Sequence, residues 1–212
     1  MKPFIKRTIS FIFTLCLGFS ISIPTHAGKA GEVSEISELK GHWAEKTLTE
    51  WIGLGMLKGD SHGRYNPDSP ITRAEFIALV NRVMKYTEKS DNIMSFTDVS
   101  PGKWYYDDAS KALAAGYIKG TSATTLSPDD TITREQAITI ISRIQGISPD
   151  GDTGILALFN DSAKISPWAV GSVAAAIREG LVTGSNGNIN PDAQTTRCEA
   201  IVLLDRVRTN TR

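Results

Sequence analysis

A chain of 212 residues holds one large domain or two small ones, and a hydrophobic fraction of 41% allows a packed core. Its 23 basic and 23 acidic residues balance, but Lys2, Lys6 and Arg7 stand at the front with no acid before Glu32, and without them 20 basic residues face 23 acidic ones. A mildly acidic remainder is a poor match for general nucleic-acid binding, which works by neutralising phosphates.

Residues 1–27 read as a secretory signal. Lys2, Lys6 and Arg7 form a charged start, Ile9 to Ile23 an apolar run too short for a comfortable membrane span, and Thr25-His26-Ala27 a small-residue cleavage site. Cleavage after Ala27 is predicted, with no membrane association afterwards; an uncleaved N-terminal anchor is the alternative reading. Leu15, before Cys16, is too large for the small-residue context of a lipoprotein cysteine. Residues 28–35 form a short N-terminal segment. The cleaved chain would keep one cysteine, Cys198, so no intramolecular disulfide is available and a hydrophobic core has to supply the stability. Cys198 itself reads as a small buried hydrophobe.

Three similar units follow, at 36–83, 96–144 and 159–207. Trp43, Trp104 and Trp168 stand 30, 30 and 29 residues before Arg73, Arg134 and Arg197. Gly59, Gly120 and Gly184 each lie 16 residues after their tryptophan, and Pro67-Asp68, Pro128-Asp129 and Pro191-Asp192 begin six residues before their arginine. A repeat of this length sets the architecture. Each unit opens on an apolar residue and an acid, Glu38, Asp98 or Asp161, and turns into a first helix. Its apolar positions are Trp43, Leu48, Trp51 and Ile52 in unit one, Trp104, Ala109, Ala112 and Leu113 in unit two, and Trp168, Val173, Ala174 and Ile177 in unit three. Pro167 suits the first turn of the third of these helices. Gly55, Gly116 and Gly180 fit left-handed caps at the helix ends.

A loop rich in Gly, Asn, Ser, Asp and Pro comes next, with room for a very short strand near Tyr65, Leu126 or Ile189. A second helix then starts at a repeated Thr-Arg phrase. Thr72 with Glu75, Thr133 with Gln136 and Thr196 with Glu199 fit capping boxes. Phe76, Ile77 and Val80, and their counterparts Ile138, Ile141, Ile201 and Leu204, form the core face. Arg82, Arg143 and Arg206 place a cation late in the helix, where the dipole favours it. Lys85 to Ser95 and Gly146 to about Leu156 are polar connectors. Each helix pair has one apolar face that it cannot bury alone. The fold class is therefore all-α, with three helix–loop–helix repeats packed as one pseudo-threefold helical bundle.

The capping box explains the Thr and the Glu or Gln without any function. Arg73, Arg134 and Arg197 fall at the first helical position, where a cation opposes the dipole. Each needs a partner: either a carboxylate, such as Asp68, Asp129, Asp192 or one of the opening acids, or an anionic ligand held by the arginine and the helix N-terminal amides. The tryptophans read as core, or as partly exposed platforms for a sugar face. Gly59, Gly120 and Gly184 read as special backbone angles, or as room for a ligand to approach the main chain. No metal-ligand spacing, nucleophile motif or phosphate-binding loop is present, and no cofactor or metal is expected.

Gly41-His42-Trp43-Ala44, Gly59, Tyr65-Asn66-Pro67, Ile71-Thr72-Arg73-Ala74-Glu75-Phe76 and the opening Phe96-Thr97-Asp98-Val99 resemble the S-layer homology (SLH) module, and three in tandem is that family's usual set. The resemblance implies a threefold bundle with ligand grooves between neighbouring modules. It also implies non-covalent attachment to secondary cell-wall polysaccharide, often bearing pyruvylated amino sugar. Carried over, Arg73, Arg134 and Arg197 would meet the ketal-pyruvate charge. Trp43, Trp104, Trp168, Glu38, Asp98, Asp161, Gly59, Gly120 and Gly184 would line the grooves. Unit one has Glu38 for the usual Asp, unit two has Gln136 for the usual Glu, and unit three has Thr195 and Cys198 for the usual Ile and Ala, with a loop one residue shorter. The expected protein is a secreted, non-enzymatic wall binder at the cell surface or S-layer, with no cargo domain. The alternatives are a protein–protein adaptor module, or a wall-active glycan hydrolase using Glu38, Asp98 or Asp161.

Overall fold

Residues 37–210 are described by a computed structural model, and they lie within the compact unit Val33–Arg212. The expected signal and the segment 28–35 fall outside the described residues. Six α-helices are formed: α1 Glu45–Gly53, α2 Arg73–Met84, α3 Tyr106–Ala114, α4 Arg134–Ile144, α5 Val170–Arg178 and α6 Arg197–Asn210. Short 3-10 turns occupy Asp91–Ser95, Gly154–Leu158 and Ser162–Lys164. Among the described residues there is no strand, so the fold is all-α; Leu126 and Ile189 are buried as loop anchors instead.

The second helices start where the capping boxes put them. Thr72, Thr133 and Thr196 each accept from the backbone N–H three residues on, and Glu75, Gln136 and Glu199 reach back to the cap N–H. The first helices start two residues later than the tryptophan phrase suggests. Trp43, Trp104 and Trp168 sit in the preceding turn and are 64%, 61% and 56% exposed, which removes the core reading for all three. The next residue of each unit, Ala44, Tyr105 or Ala169, takes the buried place instead. Pro167 likewise lies before α5, not in its first turn. Gly55, Gly116 and Gly180, with φ between +68° and +75°, end the first helices in the left-handed form.

The helices do not pack chiefly within their own units. α3 packs on α2, α5 on α4 and α1 on α6, so each first helix lies on the second helix of the preceding unit, and unit one closes onto unit three. α6 also packs on α2 and α4. Trp51, fully buried in α1, donates its indole N–H to Asp205 of α6 at 2.8 Å, a hydrogen bond across this closure.

The phrase just before each second helix joins the units. The Ile71 N–H donates to the Thr195 carbonyl, Thr195 to Ile132, and Ile132 to Ile71, at 3.0, 2.9 and 3.1 Å, closing a ring of backbone hydrogen bonds. All three residues are fully buried. The first two N–H groups of each second helix are likewise satisfied from the neighbouring unit. Arg73 and Ala74 donate to Asp130 and Pro128, Arg134 and Glu135 to Ala193 and Pro191, and Arg197 and Cys198 to Ser69 and Pro67, all at 2.8–2.9 Å. The orphan donors that every helix start exposes are thus the mortar between units.

Thr195 carries the one hydroxyl in this ring, and its Oγ1 is buried without a partner. Thr195→Val, which keeps the shape and removes the stranded hydroxyl, should stabilise the protein by about 1 kcal/mol. The check is a urea-unfolding midpoint that rises at unchanged slope; a lower midpoint would show that the hydroxyl supports the ring.

Candidate ligand-binding grooves

Three grooves bring together the repeated Arg, Trp and Gly, and each draws on all three units. One cavity of about 470 Å³ holds Arg134 of unit two, Gly184 and Arg206 of unit three and Trp43 of unit one. A second, of about 330 Å³, holds Arg73 of unit one, Gly120 and Arg143 of unit two and Trp168 of unit three. The third consists of two recesses sharing Lys58, Glu75 and Arg197, one reaching Gly59 and the other Trp104 and Arg82. The two single cavities fall in the size range of small-molecule sites.

Each arginine is largely buried at its groove floor but differently partnered. Arg197 pairs with Glu75 at 3.2 Å and donates its Nε to the Tyr65 carbonyl. Arg134 lies 3.5 Å from Glu199, with its Nε unpartnered. Arg73 donates to the Lys119 carbonyl at 2.7 Å, has its Nε unpartnered, and is paired with no carboxylate among the described residues. Burial, then the nearby Arg143, pushes Arg73 down to about 10; burial also lowers Arg134. The carboxylates that do pair are the capping-box acids of the next unit, not the aspartates or opening acids of the loops. Each has two jobs: one oxygen of Glu75 or Glu199 caps its helix and the other meets the arginine.

The helix-start amides are closed to a ligand, because the neighbouring loops already occupy them. This departs from the expectation that arginine and amides would share an anion. The opening acids are spent on loop amides. Asp98 accepts from Leu126 and Ser127 N–H, Asp161 from Ile189 and Asn190, and Glu38 from Tyr65 and Asn66. Asn66, Ser127 and Asn190 have φ of +47°, +55° and +55°, so each acid pins its loop at a left-handed residue. The longer Glu38 finds the same two amides, with a looser second bond of 3.4 Å.

Of Gly59, Gly120 and Gly184, only Gly184 has a positive φ. What they share is crowding within the loop: a Cβ on Gly120 would meet the Phe96 ring at 2.7 Å and one on Gly184 the Phe159 ring at 2.6 Å, while Gly59 lies against Gly63. Reading from sequence missed Arg82, Arg143 and Arg206 as groove residues. Each stands nine residues after its helix-start arginine and donates to the carbonyl of Met56, Tyr117 or Leu181, just past the first-helix glycine. Their threefold spacing is visible in the sequence, where the helix dipole also accounts for it.

His42, Asp68 and Cys198 bring three donor atoms within 4.8 Å of one another beside the Arg134 groove. The Ala44 N–H donates to His42 Nδ1, so the ring proton sits on Nε2 and donates to Asp68 at 3.0 Å. A metal at Nε2 would require moving that proton and breaking the amide bond. Burial pushes the Cys198 thiol up, as for a small core residue.

Inter-unit grooves, each floored by a desolvated arginine and edged by an exposed indole, define a repeat module whose grooves are built from more than one unit. The S-layer homology domain model matches residues 36–77, 95–138 and 158–201, and the chain belongs to that family. It is 29% identical over 93% of its length to a surface-layer 125 kDa protein of Lysinibacillus sphaericus, and 31% identical over 79% to an exoglucanase of Acetivibrio thermocellus. A middle cell wall protein of Brevibacillus brevis is 26% identical over 68% of the chain, which there spans 14% of the relative. The chain spans 16% of the length of each of the first two.

A cation held below its unfolded value opposes folding at every pH where both states are charged. For Arg73 that is below about 10, with relief as pH rises further toward the ordinary arginine range. Arg73→Met should therefore leave the neutral-pH melting temperature equal or raised despite losing the bond to Lys119. Asp98→Ala, by contrast, should cost about 1.5–3 kcal/mol in chemical unfolding, because two loop amides lose a charged acceptor. Equal and large losses for both would mean that Arg73 is structural.

Proposed function

We propose that the chain is a non-enzymatic cell-wall anchor that binds an acidic secondary cell-wall polysaccharide, with a pyruvyl-ketal carboxylate against the groove arginine and a sugar face on the tryptophan. The carrying observation is the repeated pairing of an exposed Trp with a buried, incompletely partnered Arg in grooves built from all three units. An indole more than half exposed contributes little to the core, and a guanidinium removed from water gains strongly from an anion. The ring of hydrogen bonds supports an approximately threefold arrangement of modules at 36–83, 96–144 and 159–207, following a secretory signal at 1–27. The surface-layer and cell-wall relatives support a place at the cell wall.

Trp43, Trp104, Trp168, Arg73, Arg134 and Arg197 are assigned to ligand contact. Gly59, Gly120 and Gly184 let the groove loops close, and Glu38, Asp98 and Asp161 position those loops. That these acids accept from loop amides supports the non-enzymatic reading. Glycosidic relatives such as the exoglucanase are far longer than this chain, and their catalytic activity is not assigned to it.

Purified protein should sediment with protein-free wall sacculi and fail to do so once the secondary polymer is extracted. Binding that survives extraction would favour the protein-adaptor reading or a peptidoglycan contact. Against soluble acidic wall fragments, Trp168→Ala and Arg73→Ala should each lose at least ~1.5 kcal/mol by calorimetry where a charged or stacked contact is made. Steady release of reducing sugar from wall glycan would overturn the non-enzymatic assignment.

A further inference from the structure

The three grooves share a geometry but not a charge. In two of them the capping-box carboxylate of the next unit supplies an internal counter-ion, Glu199 to Arg134 and Glu75 to Arg197. In the third the capping residue is Gln136. Its Oε1 accepts from the Thr133 N–H, the same capping bond that one carboxylate oxygen makes in the other units. Its second terminal atom is therefore the amide Nε2, a donor, in the place where the other units carry the oxygen that neutralises the arginine.

The consequences run in one direction. The described lining of this groove has three cations, Arg73, Lys119 and Arg143, and no carboxylate. The Arg134 groove has two cations facing Asp68 and Glu199. Arg73 is the most buried of the three floor arginines and keeps an unpartnered Nε. A buried charge with neither counter-ion nor full hydrogen bonding is unfavourable, and an incoming anion relieves that condition. In the other two grooves an anion would have to compete with, or lie beside, a resident carboxylate.

We propose that Gln136 makes the Arg73–Gly120–Trp168 groove the primary site for the acidic ligand. The ligand carboxylate takes hydrogen bonds from the Arg73 guanidinium and from Gln136 Nε2, and the grooves bearing Glu75 and Glu199 are weaker sites for the same group. This ranking rests on the acidic-glycan reading above and goes beyond it by assigning one residue as the determinant of which groove fills first.

The test uses the full chain and two probes, a pyruvyl-ketal N-acetylhexosamine and its methyl ester, titrated by calorimetry and followed at the arginine Nε–H resonances. In the wild type the acid should fill the Arg73 groove first, shifting the Arg73 Nε–H before those of Arg134 and Arg197, and the ester should bind at least about tenfold more weakly. Gln136→Glu, which gives unit two the acidic capping box of the other units and so keeps the fold, should weaken the first site about tenfold or more. Glu199→Gln should tighten the Arg134 groove, and the double variant should reverse the filling order. Matching melting temperatures would show that the Gln136→Glu effect is local. If the acid binds but Gln136→Glu leaves filling order and affinity unchanged, the ranking falls and the glycan reading stands. If acid and ester bind alike, carboxylate recognition is wrong in both. If neither binds at the Trp-Arg grooves, both readings fall together.

Discussion

The protein depends on a trade of backbone hydrogen bonds around its three Thr-Arg phrases. Ile71, Ile132 and Thr195 pass N–H to carbonyl in a closed ring, and the first two amides of each second helix are satisfied by the Pro-Asp loops of the adjoining units. A helix start buried against nothing would leave those donors stranded, each at a cost of the order of a hydrogen bond or more. No unit satisfies the first two amides of its own second helix. Assembly of the triplet is thus a condition of local structure, and the grooves come with it, because arginine, glycine and tryptophan reach each groove from three different units.

The same economy governs the charges. A helix-start arginine is unfavourable to its own helix dipole, and burial makes it more so. Glu75 and Glu199 moderate this for their neighbours while capping their own helices, so one side chain links local helix initiation to the electrostatics of a distant site. Arg73 lacks such a partner because residue 136 is an amide. A change that is neutral for capping is thereby a large change for the groove.

Much was legible beforehand because it follows from neighbours in the chain. The capping boxes at Thr72, Thr133 and Thr196, the left-handed glycines after the first helices, and the core faces around Ile77, Ile138 and Ile201 are set by contacts within a few residues. The tryptophans were harder. Periodicity cannot separate a turn residue from the first residues of a helix, yet Trp43 is exposed and Ala44, one position on, is buried. A repeated carboxylate suits either a ligand or a loop amide, and the residue pattern does not separate the two. Only the path of the loop places Asp98 on Leu126 and Ser127.

By itself the sequence determined the three-unit organisation, the six helices and the residue types that had to recur, because spacing and capping chemistry act over short stretches. The tertiary structure decided that each first helix lies on the preceding unit's second helix, which faces of the repeated residues meet solvent, and which acid answers which arginine. Those outcomes turn on contacts between residues as far apart as Glu75 and Arg197, whose meeting depends on how the chain closes on itself.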